Sequence, residues 1–528
     1  MITARPLTHR LKERLMGCLT LMMFSCIAAG AQGTGSIIGL RAPVIKPDYT
    51  HTTFPPNIAP PNFRILEKGK AFRVRISGES GPDIRISGKS PKIILPAKSL
   101  KRLARECAGR DIFFEIEAQN GSGEWTRFAP IVNHIAGEPV DPYLYYRLIH
   151  PAYNLYHEMG IYQRNLENNG EKPILLNRTT DHSCMNCHNF CMNDPERWMM
   201  HLRGGEANGT LIVRDGEVRK VNTATDFNKA GAYPSWHPDG RRIVFSVNTL
   251  KLFYHAAGEP RDVLDEASDL IVYEIESNRV TSSPLIADPK RMENFPCWSP
   301  DGKSLFFCSA PDFETFSKGE NSGENPEYDR IRYDLMRVSY DPESGQWHDI
   351  ETVFSASETG LSAAMPRVSP DGRFLLFCTT AYGNFPVYRK DSDLVLMDLK
   401  TRRVVKPDIN SSEAETFHSW SSNSRWFVFS SKRIDGVCAR PFFSYLDEDG
   451  RARKPFVLPQ RDPDFYDTFI PTYNVPELAR GPVRQSPWTL TGAALNNEKK
   501  LNAGLDPAWK SKTGKKAAED KLYQQAPR

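Results

Sequence analysis

A chain of 528 residues is too long for one hydrophobic core and calls for about two to four domains. Its 40% apolar and 11% aromatic content is that of a folded globular protein. A formal net charge of +4, spread without a concentrated block, speaks against nucleic acid as a partner.

Residues 1–31 read as an export signal. Arg5, Arg10, Lys12 and Arg14 precede an apolar run from Leu15 to Ala29, and Ala29-Gly30-Ala31 is a small-x-small cleavage site. In a rival reading the signal ends at 25 and Cys26 is a lipidated N-terminus tethered by Gly30 to Ser36. The run falls short of the roughly 20 residues that a membrane span needs. Both readings export the protein, to the periplasm or to the outer membrane as a lipoprotein.

Residues 37–138 combine a proline-rich strap (Pro43, Pro47, Pro55, Pro56, Pro60, Pro61) with period-two segments. Phe72 to Ile76, Ile84 to Ile86 and Ile112 to Ile116 are strands, and Leu100, Leu103 and Cys107 fall at helical spacing. The expectation is a β-sandwich with one short helix. Residues 139–205 are expected to be mainly helical: Tyr143, Leu144, Tyr146, Arg147, Leu148 and Ile149 lead through Tyr153, Tyr156, His157 and Met159 toward Cys184-Met185-Asn186-Cys187-His188.

Two thiols three residues apart with an imidazole directly after the second form the attachment signature of c-type haem. Cys184 and Cys187 would make thioethers to one porphyrin, and His188 would be the axial ligand. A disulfide or plain structural cysteines are a second reading. Zinc is a third, although no second CxxC supplies the other half of a tetrahedral site. If one covalent haem c is present, the candidate for the opposite axial position is His201, with Met199, Met200, His157 and Met192 as rivals. Arg147, Arg164 and Arg203 are candidates for the propionates. Haem-binding residues are therefore Cys184, Cys187, His188 and His201, with His188 and His201 on the metal.

Residues 206–484 repeat. Pro234-Ser-Trp-His-Pro-Asp-Gly, Pro296-Cys-Trp-Ser-Pro-Asp-Gly and Pro366-Arg-Val-Ser-Pro-Asp-Gly each run into an apolar strand, and His418-Ser-Trp-Ser-Ser-Asn-Ser is a decayed fourth copy. Pro-Asp-Gly builds the turn, because Pro presets φ, Asp bonds its own backbone and Gly accepts a positive φ. Further strands follow at Asp269 to Tyr273, Asp334 to Val338 and Asp393 to Met397, as in propeller blades. Residues 485–528, with Lys510, Lys512, Lys515 and Lys516, read as a basic flexible tail.

Over about 230–435 the repeats resemble the TolB-type β-propeller. The order sandwich, aromatic segment, CxxCH and propeller makes the whole chain similar to exported bacterial TolB-like propeller proteins that carry a single c-type haem motif. That resemblance implies a mainly β fold with five or six blades. Two functions follow as expectations. One is a monohaem envelope protein that exchanges electrons with a partner docked on the propeller. The other is a non-enzymatic scaffold for envelope proteins or glycans, with a structural CxxCH. No Gly-x-Ser-x-Gly elbow occurs, so hydrolase chemistry is not expected and catalytic residues are none.

Overall fold

The computed structural model describes residues 37–151, 158–253, 262–312 and 328–509. The export signal with Cys26, the polar insertion from Ser317 to Asn325, His157 and the basic residues Lys510 to Lys516 lie outside the described residues.

Up to residue 138 the alternating pattern gives what it implies. Phe72, Val74 and Ile76 are buried while Arg73 is exposed, and the strand Ala71–Gly78 belongs to a seven-stranded sheet. A three-stranded sheet built from Ile45–Lys46, Phe63–Ile65 and Lys92–Ile93 packs against it, with the Phe63 ring stacked 5.8 Å from Phe114. The helix Ala97–Glu106 buries Leu100 and Leu103 in the same core, and Cys107 caps it. This sandwich is fixed to the rest of the chain partly by ion pairs, Arg64 with Asp464 and Lys92 with Asp462 at 2.7 Å. Partly exposed pairs contribute little each. Apolar packing carries more of the interface, including the Phe54 ring 5.0 Å from Phe456.

From Tyr143 the chain forms a β-propeller, and among the described residues it has six antiparallel blades. Blade one joins Tyr143–Ile149, Gly160–Asn165 and Glu171–Leu176 to an inner strand, Thr472–Ala479, from near the C-terminus. Blades two to six follow in chain order, with inner strands Cys184–Phe190, Ala232–Trp236, Arg291–Trp298, Ser362–Val368 and Glu415–Trp420. Neighbouring inner strands touch all the way round, and the last touches the first, so the ring is closed.

Three expectations are corrected here. Residues 139–205 are strands rather than a helix. Leu144, Tyr145 and Tyr146 are consecutively buried because both faces of this blade are covered, and a helical stripe and a doubly buried strand look alike over so short a run. The propeller consequently begins near 143 and not at 206. The segment after 485 is not all tail: Pro487–Leu495 is a helix capped by Ser486, while Leu501–Asn502 and Gly504–Leu505 add parallel fifth strands to blades two and three. The apolar runs after each Pro-Asp-Gly are buried as expected, but they form the second strands, one step out from the channel.

Every inner strand carries one residue in the left-handed region: Val475 (φ 48), Cys187 (φ 50), Tyr233 (φ 46), Phe295 (φ 50), Met365 (φ 54) and Phe417 (φ 39). The register to the second strand slips at each of these places, so each is a β-bulge. For non-glycine residues this backbone costs about 1–3 kcal/mol each, which the closed ring must sustain. In four of the six blades, a polar side-chain atom two residues beyond the bulge accepts a backbone N–H from the next blade. Ser235 Oγ accepts from Trp298 at 3.1 Å, Cys297 Sγ from Val368 at 3.4 Å, Ser419 Oγ from Leu478 at 3.0 Å and Glu477 Oε1 from Phe190 at 3.0 Å. These bonds stitch blade to blade around the channel.

Candidate functional site

The bulges align six segments that the ring brings together: Cys187-His188-Asn189-Phe190, Tyr233-Pro234-Ser235-Trp236, Phe295-Pro296-Cys297-Trp298, Met365-Pro366-Arg367-Val368, Phe417-His418-Ser419-Trp420 and Val475-Pro476-Glu477-Leu478. The second half of the CxxCH is therefore blade two's copy of the propeller repeat. Cys187 stands where the other blades place Tyr, Phe, Met or Val, and His188 stands where four of them place Pro. The motif is not a module set before the propeller; it is part of the channel wall.

All six segments line a narrow neck of about 50 Å³, room for a water molecule or two. His188 is buried there, 3% exposed, and no well-formed hydrogen bond reaches either ring nitrogen, although the Val475 backbone is close enough to favour the charged ring. Its Nε2 lies 3.9 Å from Glu477 Oε2, which is also without a hydrogen-bond partner. Burial, reinforced by the Arg147 charge, pushes the His188 imidazole down to about 3, so the ring is neutral. Burial raises the Glu477 carboxyl to about 7 and raises the Cys187 thiol.

A wider chamber of about 550 Å³ adjoins the neck at Tyr233 and Phe417, which line both. Its wall includes Cys184, Met159, Arg147, Arg203, His150 and Lys432, and among the described residues it holds no Asp or Glu. Arg147 donates to Met185 O at 2.8 Å and Asn186 Oδ1 at 3.1 Å in blade two, and to Asn474 Oδ1 at 2.9 Å in blade one. It thus spans the seam between these blades at the chamber wall. The chamber is cationic, part aromatic and of cofactor size.

The structure brings Cys184, Cys187 and His188 to these two adjoining cavities. It does not bring His201 there. His201 is buried opposite Asn186 in the second strand of blade two, with Nδ1 3.0 Å from Thr210 Oγ1, and it lines neither cavity. Met199 and Met200 lie in the cores of blade two, and Met192 is exposed in the turn beyond Cys191. Arg164 is buried away from the chamber on Gln460 Oε1 and Pro459 O. Cys191 is a buried thiol directed at His237 O, pushed up to about 12 by burial. Sequence reasoning missed Glu477, His418 and Met159. Glu477 belongs to Val475-Pro476-Glu477-Leu478, whose match to the other copies was the available signal.

The residues that would hold a c-type haem are split between the two cavities. One thiol lines a chamber of adequate size, a second thiol and a neutral imidazole follow in the adjoining neck, and cationic side chains offer partners for two carboxylates. The His188 ring is the feature to test, because a buried imidazole without a well-formed hydrogen bond costs stability unless something else occupies it. His188→Leu in protein produced without haem is therefore expected to be neutral or to stabilise by about 1 kcal/mol. The urea midpoint reads this out, and a loss beyond about 2 kcal/mol would reveal a protein partner for the ring.

No protein-family model matches the chain, and no curated protein does. Among solved structures it is similar to a nidogen/laminin complex chain, at 7% identity and TM-score 0.38, over 64% of this chain and 99% of that one. It is also similar to the β-propeller domain of Cps50 (Swd1) from Myceliophteria thermophila, at 12% identity and TM-score 0.29, over 51% of this chain and 70% of that one. A prolyl endopeptidase is similar at 11% identity and TM-score 0.33, over 73% of this chain and 42% of that one. Likenesses this remote concern the fold alone.

Proposed function

We propose that this β-propeller is an envelope protein with one covalent c-type haem, which Cys184, Cys187 and His188 would hold. The observation that carries the reading is the buried His188 ring, without a well-formed hydrogen bond at either nitrogen, in the neck next to the chamber that Cys184 lines. The haem, when bound, supplies one-electron redox chemistry. The chain's own residues do the rest. Arg147, Arg203 and Lys432 offer positive charge to the propionates, Glu477 sits beside the His188 ring, and Tyr233 and Phe417 narrow the passage for water.

As a second protein ligand, His201 would have to leave Thr210, whereas Met159 already lines the chamber, its sulfur accepting the Met185 N–H at 3.2 Å. The optical spectra of His201→Ala and Met159→Ala separate the two, since loss of a low-spin spectrum identifies the ligand. Electron exchange with an envelope protein docked on the propeller, in the periplasm or on a lipid anchor at Cys26, belongs to the same reading.

A second reading is a scaffold for envelope proteins or glycans. The observation that favours it is that Cys187 and His188 occupy a repeat position that every blade fills, so both have a structural place without haem. A haem-stained gel of protein matured with c-type assembly factors decides between them. The first reading expects covalent stain that is lost in Cys184→Ala and Cys187→Ala. A colourless wild-type protein, from a host that matures other c-type cytochromes, sinks it.

A further inference from the structure

Away from the neck and the CxxCH, the wall between blades three, four and five holds a carboxylate without a countercharge. Asp265 lies in the strand Asp262–Glu274 and is 1% exposed. The register to the strand Arg242–Phe253 jumps from Thr249–Ala267 to Leu250–Asp265, a bulge at Glu266 that accompanies the inward placement of Asp265. Three amides from three blades converge on its Oδ2: Asn248 Nδ2 at 2.6 Å, Asn294 Nδ2 at 3.3 Å and Asn384 Nδ2 at 3.3 Å. Ser268 faces the same carboxyl group. Among the described residues, no Lys, Arg or His pairs with it.

Three buried oxygens at this place make no well-formed hydrogen bond, Asp265 Oδ1, Ser268 Oγ and Asn294 Oδ1, although Ser268 stands close enough to Asp265 to favour its ionised form and Tyr333 stands beside Asn294. A lone buried carboxylate with unsatisfied oxygens around it is costly, and either a proton or a cation would relieve that cost. Asparagine amides can turn Oδ1 in place of Nδ2 toward the centre. With oxygen donors only, and neither sulfur nor imidazole, the set suits a hard cation.

We propose that Asp265, Asn248, Ser268, Asn294 and Asn384 form a calcium site that ties blades three, four and five together behind the chamber wall. The site is independent of haem attachment. A single carboxylate places the affinity at the weak end of calcium sites, on the order of 10⁻⁴–10⁻³ M. The ion also reaches the chamber indirectly, because Asn384 directly precedes Phe385 and Asp265 pairs across the hairpin with Leu250, and both Phe385 and Leu250 line that cavity.

The test uses the full chain, stripped with chelator and then dialysed against calcium chloride, read by metal analysis and thermal unfolding. The expected result is one equivalent of calcium and a saturable rise in Tm of about 2 °C or more at about 10 mM calcium. The rise should be absent in sodium chloride of equal ionic strength and lost in Asp265→Asn. Should that variant fail to fold, Asn384→Ala is expected to raise the calcium midpoint at least about tenfold. Absence of bound calcium, an equal rise in sodium chloride, or a calcium response that survives in Asp265→Asn or is unmoved in Asn384→Ala would overturn the site.

Discussion

Ending the chain at Pro471 is expected to abolish folding of the propeller. The lost strand, Thr472–Ala479, is the inner strand of blade one, so Tyr143–Ile149 would be left with an unpaired edge facing the channel. Tyr473 and Leu478 are fully buried, and each is worth about 1.5–3 kcal/mol of burial. The Glu477 and Leu478 stitches to blades two and six go with them. Their sum, added to an open ring, takes most of the 5–15 kcal/mol that a folded protein has in hand. Circular dichroism and size-exclusion chromatography read the result; cooperative unfolding near the wild-type midpoint would refute it. Ending the chain at Arg484 should be far milder. It keeps the closing strand and removes the helix Pro487–Leu495, whose buried residues are Leu490 and Ala494, along with the two short fifth strands.

The second large effect is an abrupt loss of stability in acid, after a flat interval. Burial holds the imidazoles of His201 and His418 down at about 3, against 6.5 when unfolded. A depressed histidine is a stability deficit that grows as pH falls below 6.5, because the unfolded chain then binds the proton and the native one does not. Burial raises the carboxyls of Asp265 and Glu477 to about 7, against 3.8 and 4.5 unfolded. Their contribution has the opposite sign, since here the native state binds the proton first and gains as pH falls from 7 toward 4. Between about pH 6.5 and 4.5 the two pairs oppose each other and stability should change little.

Below pH 4 the carboxyls are protonated in both states and only the histidine deficit remains. Two protons then give a slope of about 2.7 kcal/mol per pH unit. In protein made without haem the His188 ring, also at about 3, adds a third depressed group, which above about pH 4.5 is opposed by Glu293, whose carboxyl burial likewise raises. Asp464, held far below its usual range by Arg64, loses its ionised stabilisation over the same interval. Urea midpoints measured in chelator at half-unit pH steps check the shape. A steady decline from pH 7 to 4 would contradict it.

Much of the propeller was legible in the sequence because its commonest device is local. Pro-Asp-Gly in three copies marks the turn between first and second strands of blades three, four and five, and Ser422-Asn423-Ser424 still makes that turn in blade six. Blades one and two were hidden for physical reasons. Blade two replaces the Tyr-Pro or Phe-Pro of the repeat by Cys187-His188, which reads as chemistry before it reads as repetition. Its turn is Cys191-Met192-Asn193, with Met192 and Asn193 in the left-handed region without any glycine. Blade one is assembled from two ends of the chain, so no contiguous stretch displays its pattern. The CxxCH itself was plain, but its setting was not. The inward turn of His188 depends on the bulge at Cys187, and Glu477 lies 289 positions away, reachable only once the ring is closed.

Closure of the ring by a strand from near the C-terminus also sets an order of events during synthesis. Residues 184–188 leave the ribosome long before 472–479, and until the later strand docks, blade one has no inner strand to shield its neighbour. Throughout that interval Cys187 lies at an unfinished seam, open to oxidants, alkylating reagents or an attachment enzyme. Once Thr472–Ala479 is in place it is 7% exposed, with a thiol that burial keeps protonated. Whatever modifies this cysteine therefore has to act before the ring closes, and the finished ring preserves the outcome.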